Sequence, residues 1–306
     1  MPMETRGGME AQAAPSITIP AVATPHRAHR TVVRRLLASR LALPAALILL
    51  VMICCALFAN ILAPYDPLYQ DYDNVLAAPS RAHPMGTDDI GRDVLSRIIF
   101  SARISMSVGI VAVGLAFVVG VPLGLLAAYH GGWVDDTLMR VMDAISSFPA
   151  LLLALGITVA LKPGLINVMI AIGVVYTPAF ARLARGEALS TREREFVTAA
   201  RVLGARPARL IAWHIWPNVT APIIVLASLR VASAIVTEAS LSFLGAGVPP
   251  PTPSWGMMLK ASYQYTETSP WLALFPGLAI FITVFAANIF GDALRSALDP
   301  RLRARG

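Results

Sequence analysis

The sequence predicts an all-α polytopic membrane protein with six spanning helices and both termini in the cytoplasm. Three observations carry this. First, 56% of the 306 residues are hydrophobic and only 14% are charged, with a mean hydropathy of +0.65, which is too apolar for a soluble domain of this size. Second, the apolar residues gather in runs of about 20, the length that crosses a bilayer as a helix. Third, with both ends inside, seventeen basic residues from Arg27 onward fall on the inner side of six crossings and six on the outer, the asymmetry that holds loops in the cytoplasm.

Residues 1–35 are rich in Pro, Ala, Thr and Arg without a hydrophobic period and are predicted to be a flexible cytoplasmic tail. The first span lies within 36–63. Leu41 to Ala63 carries no charge and follows Arg27, Arg30, Arg34, Arg35 and Arg40, so it reads as an uncleaved helix whose start stays inside. Pro44 sits in its first turn, where it is tolerated. Cys54 and Cys55 are adjacent, and offer neither metal-ligand spacing nor a plausible disulfide.

Residues 64–101 form a polar, Asp-rich extracytoplasmic segment. Asp88, Asp89, Arg92 and Asp93 cluster around Gly91 after the Gly86-Thr87 turn, with Thr87 or Asp88 placed to cap a helix that runs into the next span. The cluster reads as a salt-bridged helix start in preference to a substrate contact. Residues 102–291 then hold five spans. The second, Ile104 to Ala128, has a small-xxx-small pair, Gly120 and Gly124, around Pro122, suited to a close helix crossing. The third, from about Ala144 to Leu161, carries a Phe148-Pro149 kink, and the fourth is Leu165 to Ala181. The fifth, Val219 to about Gly245, is interrupted by Arg230 and Glu238. The sixth, Trp271 to Phe290, precedes a cytoplasmic tail over 292–306.

Between the fourth and fifth spans, Ser190 to Asn218 is a polar island within loop 186–217. Its pattern predicts two short helices. Ser190 and Glu193 stand at capping-box spacing for the first, Gly204 supplies a left-handed stop, and Pro207 opens the second. Phe196, Ala199, Ala200 and Leu203 share one face, with Arg192, Arg194 and Arg201 elsewhere. A small apolar face outside the membrane calls for a partner, and the partner expected is another protein.

Arg230 and Glu238 are eight residues apart, about 12 Å and roughly 80° on a helix, so they share a broad face without touching. A charge inside a span costs at least about 2.5 kcal/mol, so both are expected to face either a companion subunit or a water-filled translocation path. Glu238 and Asp143 are the only acids at plausible membrane depth, fewer than a proton-coupled carrier would be expected to bury. The five histidines are scattered without metal-ligand spacing, no catalytic signature occurs, and the dispersed arginines form no basic domain for nucleic acid. No phosphate-cradling G-x-x-x-x-G-K-[ST] motif is present, so an ATP-driven process would draw on a separate chain. A secondary carrier would need an internal repeat and an embedded ion site, neither of which is evident. A scaffold that binds a cytoplasmic partner through 190–217 is the third reading.

Three motifs carry a family resemblance. Thr198-Ala199-Ala200, Gly204 and Pro217 resemble the "EAA" loop of bacterial ABC-importer permeases, departing from it at Thr198, where the family has Glu, and at His214 and Trp216. The run Gly86-Thr87-Asp88, Gly91-Arg92-Asp93 is similar to the GTD-x-x-GRD segment of the peptide and nickel branch, and residues 249–256 are similar to its PPPTPSWG signature. The resemblance spans roughly 36–303 and is closest to the C-type subunit of dipeptide, oligopeptide and glutathione permeases. It implies the transmembrane domain of a type I ABC importer in a prokaryotic cytoplasmic (inner) membrane, with no cofactor of its own. It also implies a second, homologous permease, two subunits that bind ATP and Mg, an extracytoplasmic binding protein, and a peptide cargo, nickel being the alternative. In that family the loop around Glu195, Phe196, Thr198, Ala199, Ala200, Leu203, Gly204 and Pro217 docks on the ATPase.

Overall fold

The computed structural model describes residues 40–298; the N-terminal tail expected over 1–35 and the end of the C-terminal tail lie outside them. Regular structure among the described residues is helical, apart from one isolated bridge between Thr87 and Asp93. The first apolar run forms α1, Ala42–Leu57, followed by a single turn, Ala59–Leu62. Helix α2, Val94–His130, has 37 residues, about 55 Å of helix, so it projects well beyond the apolar thickness of a bilayer.

Helix α2 starts ten residues before the expected Ile104, and its cap is neither Thr87 nor Asp88. Asp93 holds that position: its backbone is extended and its carboxylate accepts from the Ser96 N–H at 2.7 Å. Asp88 cannot serve, because its carboxylate is already occupied by the Ile90 and Arg92 N–H groups. The Gly120/Gly124 pair does what its spacing predicts. A Cβ at Gly120 would come within 2.6 Å of the Thr177 carbonyl oxygen, and one at Gly124 would overlap the Ala181 carbonyl, so these glycines set how closely α2 crosses the fourth-span helix.

The third apolar segment is not a single kinked span. Helix α3, Gly132–Ser146, and helix α4, Ala150–Leu161, meet at 90°. Pro149 cannot continue the hydrogen-bond ladder and disfavours a helical Phe148 before it. The apolar α4 is only 12 residues, about 18 Å and shorter than a bilayer core. Helix α5, Leu165–Arg192, continues eleven residues past the expected end at Ala181. Its charged end is held by other helices: Arg185 pairs with Asp135 of α3, and Arg192 Nη1 donates to the Ala128 carbonyl of α2 at 2.9 Å.

That extension overturns the Ser190/Glu193 capping box, since Ser190 lies inside α5. The chain breaks at Glu193–Arg194, and α6, Glu195–Val202, follows without a side-chain cap. Pro207 opens the next helical stretch as expected, through the turn Pro207–Arg209 and a π-helical segment Leu210–Ile215 into α7, Trp216–Phe243. The stretch Pro207–Phe243 is thus one 37-residue unit starting well before Val219. Helix α8, Trp255–Ser262, and α9, Trp271–Leu298, complete the described chain, so the segment after 291 begins as a continuation of the last helix.

By length and composition α2, α5, Pro207–Phe243 and α9 can each cross a membrane, α3 and α4 form a broken pair, and α1 is a shorter apolar helix of 16 residues. Helices α2 and α5 make the most extensive pairing, α7 packs on both and on α9, and α1 lies against α9 and α2. Phe180, Ile172, Ile223 and Leu241 are buried at the centre, while Val118, Leu152 and Phe281 stand exposed on the outside, as lipid-facing residues do.

Candidate functional site

Loop 186–217 presents α6 as a short helix with a defined end. Gly204 has φ +82°, the Ala205 N–H donates to the Ala200 carbonyl at 3.1 Å, and the Gly204 N–H donates to Arg201 at 3.0 Å. This is the Schellman arrangement that a left-handed glycine permits. Val197 is fully buried and anchors the helix, and Phe196 stacks on His214 of the π-helical segment, with centroids 6.5 Å apart and planes at 23°.

The face that remains open differs from the one expected. Ala200 is half-buried and Phe196, 44% exposed, leans on His214, whereas Val202 and Leu203 are 83% and 87% exposed. Ala199, Val202 and Leu203 form an apolar ridge beside Thr198, rimmed by Glu193 and Glu195 around a shallow open depression. Sequence reasoning missed Val202. The spacing 195, 198, 199, 202 is itself a helical stripe and could have found it. Pro217 is exposed in the first turn of α7.

The Gly86–Asp93 motif folds into a clasp at the head of α2. Gly86 and Gly91 have φ of +76° and +77°. The Thr87 hydroxyl donates to the Asn74 carbonyl and accepts from the Ala77 N–H. Asp88 binds the Arg92 side chain at 2.7 Å and approaches Arg97 at 3.5 Å. Asp93, 2% exposed, accepts from the Ser96 N–H and hydroxyl and meets His83 Nδ1 at 3.0 Å. Arg97 Nη1 ties the unit to the Pro67 carbonyl.

The 249–256 signature joins this end of the bundle to α7. Ser254 caps α8, the Trp255 indole is fully buried and donates to the Ile98 carbonyl of α2 at 3.1 Å, and Gly256 lies so close to the Ala239 carbonyl that no Cβ would fit.

Arg230 and Glu238 do not touch, as expected, and the structure separates their fates. Glu238 faces neither a path nor an interface. It is fully buried within its own chain, accepting from the Ser242 hydroxyl at 2.7 Å and from the Ser105 hydroxyl of α2 at 3.2 Å. The small serines one turn on and across the α2 contact leave room for the carboxyl and satisfy it. Glu238→Gln preserves oxygen acceptance and should hold the thermal midpoint of the purified protein to within a few degrees. Glu238→Leu strands two buried hydroxyls and should cost about 1–3 kcal/mol, read as a clear drop in that midpoint; an unchanged midpoint for the Leu variant would count against the network. Arg230 remains half-buried, its guanidinium 5.2 Å from the centroid of the Tyr176 ring. Asp143, the other acid at plausible depth, is largely exposed and pairs with Arg182 at 3.5 Å. Among the described residues no three His, Cys, Asp or Glu side chains converge as a metal would require.

Residues 29–79 match the N-terminal TM domain of oligopeptide transport permease C, and residues 120–304 match the binding-protein-dependent transport system inner membrane component. The chain is 43% identical over 272 residues to the glutathione transport system permease protein GsiD of Pectobacterium atrosepticum, covering 89% of this chain and 90% of that one. It is 42% identical over 275 residues to the dipeptide transport system permease protein DppC of Alkalihalophilus pseudofirmus, covering 90% of each. An inward-facing structure of the MetNI methionine ABC transporter matches with a TM-score of 0.56 at 17% identity, over 66% of this chain and 96% of that one, a likeness of fold. With the helical bundle, these matches define an integral membrane component of a transport system. More particularly, the chain belongs to the family of binding-protein-dependent transport system inner membrane components, the permease subunits of ABC importers.

Proposed function

We propose that this chain is the C-type permease half of an ATP-driven importer of peptides, either di- and oligopeptides or glutathione. It forms half of the translocation path with a second, homologous permease and receives cargo from an extracytoplasmic binding protein. It is driven by two separate subunits that hold ATP and Mg. Both termini and loop 186–217 lie in the cytoplasm, a reading supported by the seventeen-to-six bias of basic residues.

The observation that carries the coupling assignment is the ridge of Ala199, Val202 and Leu203, apolar and open on a helix that is otherwise capped and anchored. Exposed apolar side chains of this size on a polar loop mark a protein contact. The peptide assignment rests on the glutathione and dipeptide permeases to which the chain is similar over nine-tenths of its length. The Gly86–Asp93 clasp serves to start and aim α2, because its acids and hydroxyls are occupied by neighbours within the clasp.

The test is uptake of labelled dipeptide and glutathione by vesicles carrying this permease with its companion permease, ATPases and binding protein. Uptake should require both internal ATP and the binding protein. Uptake driven by a proton gradient without ATP would overturn the proposal in favour of a secondary carrier, and uptake of nickel alone would reassign the cargo.

A further inference from the structure

Arg230 stands at the middle of the 28-residue helix α7, where a charge is most costly if it meets lipid. Other arginines of the bundle are provided for: Arg92 and Arg97 by Asp88, Arg185 by Asp135, Arg103 by the Ala56 carbonyl and Arg192 by the Ala128 carbonyl. Arg230 has no acid within ion-pair distance and no hydrogen-bond acceptor among the described residues, although it is half-buried. Glu238, the acid on the same helix, is taken up by serine hydroxyls.

The guanidinium is nevertheless positioned. It lies over the Tyr176 ring of α5, and the Tyr176 hydroxyl meets Thr237 Oγ1 at 3.0 Å. Thr237 donates its own proton to the Ser233 carbonyl, so Tyr176 is the donor in that pair and its ring is held in place. A ring face attracts the cation but accepts none of its five N–H groups in their plane, which leaves the fork free for a planar bidentate acceptor. Arg230, Ser233, Thr237 and Ser240 are all half-buried and fall within about 80° of arc, a polar stripe along a spanning helix.

We propose that Arg230, seated on Tyr176, is a subsite for the carboxylate of the cargo, presented to the translocation path at mid-membrane. The inference rests on the peptide reading above and deepens it: an unmodified linear peptide carries a terminal carboxylate, and this half of the path offers its cation and no counterpart acid, since Glu238 is enclosed. The permease itself, beyond the binding protein, therefore selects for a free carboxyl end.

The test uses the complete reconstituted importer with a dipeptide and its C-terminal amide, each saturating the binding protein. Arg230→Gln should still co-purify with the companion permease and should lower uptake of the free acid at least about tenfold, the loss expected of a bidentate charge-assisted contact. Arg230→Lys should recover only part of that loss, because an ammonium keeps the charge but not the planar fork. Uptake of the amide should change by less than about twofold in either variant, because it never engages the full charge. Unchanged uptake of the free acid by Arg230→Gln would overturn the subsite, as would an equal loss for acid and amide, which would mark a structural role. Loss of the companion permease on purification would make Arg230 half of an intersubunit ion pair instead. A wild-type complex that imports neither peptide, with or without its binding protein, would overturn the cargo reading and the subsite with it.

Discussion

Leu203→Arg should strip the ATPase subunits from the importer while leaving the permease in the membrane. Leu203 is 87% exposed at the end of α6, next to Val202 at 83%, so neither side chain contributes much to the folding of its own chain. In the proposed complex both are desolvated by the partner. Truncating a central interface residue of this kind costs about 2 kcal/mol or more, and an unpaired charge forced into the desolvated contact adds to that. A loss of roughly 3 kcal/mol lowers affinity by more than a hundredfold. The permease should be made at normal levels and melt normally, and the ATPases should be missing when it is purified through a tag. A full ATPase complement in that variant, with binding-protein-stimulated hydrolysis intact, would refute the docking assignment.

Gly91→Val should be the most damaging single change outside the membrane. Its φ of +77° lies in the left-handed region, and a Cβ there would overlap the Asp71 carbonyl, whose own N–H donates to the Gly91 carbonyl at 3.2 Å. The dihedral costs about 1–2 kcal/mol for a residue with a Cβ, more for a branched one, and the overlap a further 1–3 kcal/mol. The displaced turn also carries Arg92 and Asp93, so the cap of α2 is lost with it. Gly131→Ala provides the comparison: its φ is +64° but no atom lies within 4 Å of the added Cβ, so it should show the dihedral cost alone. The quantities to compare are membrane protein level and thermal midpoint. A Gly91→Val protein as abundant and stable as the Gly131→Ala one would show that the clasp does not govern folding.

Much of this was legible in the chain itself, and where it was not the reason can be located residue by residue. Pro207 and Gly204 were read correctly because their effects are local: a ring that fixes φ and removes a donor, and the absence of a Cβ at a left-handed position. Gly120 and Gly124 announced a close crossing because only small residues allow one. The capping box at Ser190 failed because a cap is a competition. The same residues continue α5 when Arg185 and Arg192 find partners on α3 and α2, 50 and 64 residues away in sequence. Asp93 replaced Thr87 and Asp88 as the cap of α2 for a similar reason, since Asp88 was already spent on Arg92 and its own loop.

The open face of α6 was half read. Helical spacing identified the helix and its apolar character, but Phe196 was drawn onto His214 and Val197 into the core, which turned Val202 outward. The α-helical class, the apolar runs and the oriented charge follow from composition and period, properties that each segment carries alone. The fates of Arg230 and Glu238 could not follow from those properties. On one helix, at one spacing and with comparable cost in a membrane, they were indistinguishable until α2 brought Ser105 to Glu238 and α5 brought Tyr176, and no acid, to Arg230. A charge is enclosed or left available according to which neighbours the packing supplies, and that is decided only when the helices meet.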